Sequence, residues 1–156
     1  MSTMKTMIKV APIALVAALA FASPANAAGQ CPKPGSMSLA NAPMMPKGVT
    51  DNIIGAVDLA NEIGVGGRML RTRRLVIQPG GIVPLHSHKD RPALIYTLSG
   101  SITEYSSACA VPINHKAGDI SREADGLSHY WVNHGKVPAV VLSSDVFHSG
   151  KADSAM

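Results

Sequence analysis

Three histidines carry the clearest chemical signal in this chain. His86 and His88 stand one residue apart within residues 79–100, PGGIVPLHSHKDRPALIYTLSG, and His129 arrives much later, just before Tyr-Trp-Val-Asn. On a strand, residues i and i+2 share a face, so both rings of the first pair can turn toward one ion. A third imidazole from another strand would complete a triad. Neutral imidazole suits Fe, Mn, Ni, Cu or Zn. Three protein ligands leave coordination positions open, as in catalytic rather than closed structural sites. The residues therefore predict one divalent transition metal ion, with Fe favoured, held by His86, His88 and His129.

The same residues carry a family resemblance. Gly80, five residues, His86-x-His88, a spacer and Gly100 resemble the first motif of the cupin superfamily, and Gly118, Gly126, His129 and Asn133 fit the second. Two positions depart from the pattern. The proline of the second motif is Ala124, and the glutamate of the first falls on Ala93, with Pro92 the only other alignment. The glutamate is a metal ligand in the family, so its loss leaves an all-histidine triad. By resemblance, three-histidine cupins include thiol dioxygenases and enzymes that cleave diketones. The resemblance covers roughly residues 70–145 and also suggests a homodimer formed by strand exchange.

Several elements must position these residues. Short β-rich runs occupy residues 52–59, 68–78, 82–88, 93–98, 101–105, 119–123, 128–133 and 137–144, with Gly and Pro between them and no long amphipathic helix. That pattern predicts an all-β barrel or sandwich, which agrees with the double-stranded jelly roll, or β-helix, implied by the resemblance. A two-residue hairpin turn at Ser99-Gly100 would pair Glu104 with Ile95 on the inward face. Glu104 would then be a carboxylate reaching toward the metal or a general acid or base. Tyr96 is a second candidate for proton transfer, although its face is opposite to that of Ala93, and Trp131 shares the face of His129. Arg68, Arg71, Arg73 and Arg74 form a basic cluster. Those facing inward, with Arg71 and Arg73 as candidates, could grip a carboxylate substrate through the guanidinium fork, whereas outward ones serve solubility. His115, His134 and His148 read as structural, and Asp90 as a turn residue.

The chain ends frame this body. Residues 1–27 combine Lys5 and Lys9, an apolar run from Val10 to Ala22 and the small residues Ser-Pro-Ala-Asn-Ala, the pattern of a signal peptide cleaved after Ala27. About 13 apolar residues are too few to span a bilayer, which needs roughly 20, so no stable membrane anchor is expected. The reading is a periplasmic or secreted protein. Removing that segment leaves 12 Lys and Arg against 10 Asp and Glu, which is no footprint for nucleic acid. Residues 28–51 read as an extended N-terminal arm, 52–148 as the barrel and 149–156 as a tail. Met37, Met44 and Met45 in the arm either dock it or offer soft copper ligands. Cys31 and Cys109 are the only cysteines, and in an exported chain they predict a disulfide tying arm to body.

The chain lacks a nucleophile elbow, a phosphate-cradling glycine loop and a Cys-x-x-Cys. The leading expectation is a dioxygenase-like oxidoreductase acting on a small chelating molecule at the histidine site. The alternatives are a metal-dependent lyase or isomerase, with Glu104 or Tyr96 moving a proton, and a non-catalytic binder of metal or a small ligand.

Overall fold

The computed structural model describes residues 30–150, so the expected signal peptide and residues 151–156 of the expected tail lie outside the described residues. The described residues form eight strands and one short helix: β1 (Lys47–Asp58), α1 (Leu59–Ile63), β2 (Arg68–Ser87), β3 (Ala93–Ser99), β4 (Ser101–Ser106), β5 (Ile113–Lys116), β6 (Ile120–Glu123), β7 (Ser128–Val132) and β8 (Ala139–His148). They make a single sheet in the order β5-β4-β7-β2-β8-β3-β6, with β1 added on β2. All the pairings are antiparallel. The sheet curls into a nearly closed barrel whose end strands, β5 and β6, are joined by a tight turn. Asp119 closes that turn by accepting the Lys116 backbone N–H at 2.8 Å.

β2 organises the barrel. The run Pro79-Gly80-Gly81, expected to separate two strands, lies within one 20-residue element. Its physical role is a change of partner. Residues 68–77 pair with β1 and β8, whereas 82–87 pair with β7. Gly80 bends the chain at φ 71°, and a Cβ on Gly81 would meet the Gln78 carbonyl oxygen at 2.7 Å. Asn133 locks the bend from β7. Its side-chain amide donates to the carbonyls of Ile77 and Val137, both at 2.9 Å, and its backbone accepts the Gly80 N–H.

The hairpin expected at Ser99-Gly100 does not form. β3 pairs with β6 and β8, while β4 pairs with β5 and β7, so Gly100 marks a corner where the chain crosses the barrel. Glu104 stands opposite Trp131 and Ile113 rather than Ile95. β1 begins at Lys47, inside the stretch expected to be arm, and the polar break after it holds α1. Asp58 caps that helix by accepting from the Ala60 N–H, and Gly64 ends it in the left-handed region. The rest of the arm is tied down by the Cys31–Cys109 disulfide, with Cα atoms 5.6 Å apart, and by backbone bonds from Ala110 to Lys33 and from Leu85 to Pro43.

Alternation sorts the interior into two ends. Along β2 the inward residues are Arg71, Arg73, Leu75 and Ile77, and along β8 they are Ala139, Val141, Ser143 and Asp145. Because β2 and β8 run antiparallel, with Arg71 beside Asp145 and Ile77 beside Ala139, polar residues gather at one end and apolar residues at the other. The apolar end, with Val83, Ile95, Ile102 and Trp131, is the core.

Candidate metal centre

His86 and His88 project from the end of β2, and His129 from β7 lies directly opposite His86 in the register. The three Nε2 atoms are 3.1 Å from one another in every pair. The remaining ring nitrogens decide what those atoms carry. His86 Nδ1–H donates to the Pro84 carbonyl at 2.8 Å, and His88 Nδ1–H donates to the Arg91 carbonyl at 2.7 Å. A carbonyl only accepts, so both rings must hold their proton on Nδ1 and present a bare Nε2. His129 Nδ1 faces two carboxylates, Glu104 at 3.0 Å and Glu123 at 3.3 Å. The Trp131 indole N–H also points at this nitrogen from 2.8 Å, but the ionised Glu104 carboxylate can only accept and favours Nδ1–H here too. Three lone pairs thus point at one another. Such a cluster repels itself unless a cation sits among them, and these residues fit a divalent transition ion by donor type and by orientation.

Burial first, and the neighbouring His129 second, push His86 down to about 2 and His88 down to about 4. Both rings therefore stay neutral and able to ligate far below the ordinary histidine range.

Glu104 occupies a different place from the one expected. It is fully buried, with Oε1 accepting from His129 and Oε2 accepting from His115 Nε2 at 2.9 Å. Burial raises its pKa, but the hydrogen bonds from His115 and His129 prevail and hold it down at about 2. It orients His129 rather than contacting the triad's Nε2 atoms. His115, expected to be structural, supports this arrangement: it is completely buried and stacks on Trp131 with ring centroids 4.7 Å apart.

A cavity of about 30 Å³ adjoins the triad, with Trp131, Ile95, Val141, Ser143 and Arg73 among its lining residues. The expected apolar wall is therefore present, with one guanidinium in it. Arg73 also reaches Asp51 and lies 3.7 Å from Asp145. Arg71 does not line this cavity. It makes a two-pronged bond to Asp145, at 2.8 and 3.1 Å, and lies over Phe147, so its fork is committed to the protein itself. Tyr96 faces away from Ala93, as the alternation predicts: it is 41% exposed on the outer face, away from the triad.

Sequence reasoning passed over Glu123 and Asp145, which are both buried. In β6, Ile120 faces outward while Ser121 and Glu123 face inward, reversing the usual polarity of a half-buried strand. Strict period two, followed from either residue, was the available signal. Burial, with the nearby Glu104 charge contributing, pushes the Glu123 carboxyl up.

An antiparallel barrel with imidazoles converging from two adjoining strands defines the class: a small β-barrel protein with a candidate metal centre on its inner wall. Residues 73–145 match the cupin domain family, and that part of the chain is a cupin domain. Among curated proteins it is 35% identical over 102 residues to Germin-like protein 1 of Brassica napus, covering 61% of this chain and 49% of that protein. It is 31% identical over 135 residues to Auxin-binding protein ABP20 of Prunus persica, covering 80% and 63%. The chain spans about half the length of the first of these relatives. Among solved structures, a predicted oxalate decarboxylase from Thermotoga maritima shares the fold, with a TM-score of 0.54, 24% identity, and coverage of 74% of this chain and 92% of that one. No helix among the described residues is long and apolar enough to cross a membrane.

Proposed function

We propose that this chain is an exported metal-dependent cupin in which His86, His88 and His129 hold one divalent transition ion, and that it acts as a dioxygenase-like oxidoreductase on a small anionic molecule. The observation that carries this reading is the convergence of three Nε2 lone pairs at 3.1 Å, each ring turned by a bond at its other nitrogen. A bound ion would supply open positions for an anionic ligand and, if redox-active such as iron or manganese, an electron couple. The chain's own residues do the rest. Glu104 fixes the orientation of His129, Arg73 offers positive charge at the cavity wall, and Ile95, Val141 and Trp131 exclude water.

Size limits the ligand. The cavity is small, about 30 Å³, which favours a ligand of few heavy atoms over a bulky one. The lyase or isomerase alternative is weakened because Tyr96 faces outward and both Glu104 oxygens are engaged by histidines. The test is elemental analysis of the purified protein beside a His86→Ala/His88→Ala variant. About one transition ion per chain, lost in the variant, is expected for such a site. Absence of metal from both proteins after reconstitution overturns the reading. Oxygen uptake with small enols, thiols and carboxylates then separates the oxidoreductase from a non-catalytic binder.

A further inference from the structure

Three carboxylates lie buried on the inner wall of the barrel, and their partners differ. Asp145 has Arg71 at 2.8 Å, Arg73 at 3.7 Å and Arg91 at 3.8 Å. Glu104 accepts one hydrogen bond on each oxygen, from His115 and His129. Glu123 has no arginine or lysine partner. Its Oε1 accepts from the Ser121 hydroxyl, and its Oε2 makes no hydrogen bond although the residue is completely buried. That free oxygen lies 3.3 Å from His129 Nδ1.

The register explains how it arrives there. On β3, Ala93 is flanked by Asp145 of β8 on one side and Glu123 of β6 on the other. Directly opposed strand residues share a face, so the small Ala93 side chain leaves room between two carboxylates. The arginines neutralise the first, and the second is turned toward the histidine site. A buried carboxylate without its own cation costs stability unless a positive charge completes it.

We propose that Glu123 is the anionic partner of the metal centre, a positioning residue that acts on the bound ion through His129 and balances its charge from strand β6. The idea rests on the metal reading above. It makes two predictions of opposite sign. Without metal, Glu123 is a liability, so Glu123→Gln leaves the metal-free protein as stable as wild type or more so. With metal, the same change weakens binding.

The experiment measures zinc(II) affinity of the full mature protein by chelator competition, and thermal unfolding of the metal-free form, for wild type, Glu123→Gln and Glu123→Asp. The expected result is an affinity loss of about 10-fold or more in Glu123→Gln, an unchanged or raised metal-free Tm, and recovery of most of the affinity in Glu123→Asp. Wild-type affinity in Glu123→Gln overturns the proposal. A fall in metal-free stability, including failure to fold, also overturns it, because the side chain would then be structural. Absence of zinc binding in wild type instead defeats the histidine site itself, a failure distinguishable from the other two.

Discussion

Whether the centre can take an ion depends on where three imidazoles keep their protons. A ring nitrogen ligates only when deprotonated, that is, above its own pKa. Burial holds His86 at about 2 and His88 at about 4, so protons compete poorly with metal until the solution is strongly acidic. Equilibrium dialysis against zinc should show less loss of occupancy as the pH falls from neutral toward about 5 than for a site whose histidines kept their ordinary value near 6.5. Glu104→Gln tests the orienting role. The amide cannot hold the Nδ1 proton as a carboxylate does, and affinity should fall about 10- to 100-fold in chelator competition while the fold is retained. The convergence of His86 and His88 was legible in the sequence because i, i+2 spacing survives any detail of folding, and His129 was legible from its place among Gly118, Gly126 and Asn133. The role of Glu104 was not: it depended on β4 lying beside β7, a long-range pairing that local turn geometry at Ser99-Gly100 misrepresented.

The strands are where local pattern and tertiary partner meet. β2 and β8 alternate cleanly and were anticipated, but the partner change at residues 79–81 was read as a break because glycine and proline usually end strands. Gly100 is the sharper case. It sits at φ 74°, and a Cβ there would lie 2.6 Å from the Pro138 carbonyl oxygen. Gly100→Ala therefore combines left-handed strain with a backbone clash. It should cost about 1–3 kcal/mol, visible as a lower urea midpoint with unchanged slope. The outward-facing Ile120 hid Glu123 in the same way, since an apolar residue at the start of a strand suggests the wrong inward face.

For the molecule as a whole, a disulfide cross-links the arm to the barrel in addition to the continuous backbone. The Cys31–Cys109 bridge spans 78 residues, a long loop for the unfolded chain to keep closed. Replacing both cysteines with serine should lower stability by about 2–4 kcal/mol in denaturant melts. Metal binding should survive, because His86 lies on β2, His88 one residue beyond its end and His129 on β7, all away from the bridge. Arg71, Arg73, Glu104, Glu123 and Asp145 all lie in the interior with less than a tenth of their surface exposed. That polar content is confined to one end, and the apolar end supplies the burial that offsets it.

By itself the sequence determined the class of fold and pointed to the histidines that converge. Strand periodicity, glycine placement and i, i+2 spacing are properties of neighbouring residues, and the pair of cysteines was enough to suggest their link. Only the tertiary structure decided which carboxylates face the histidines and that Arg73 faces the cavity while Arg71 is spent on Asp145. Each of those outcomes turns on which strand lies beside which and with what register, and a shift of one residue in register exchanges the inside of a strand for its outside.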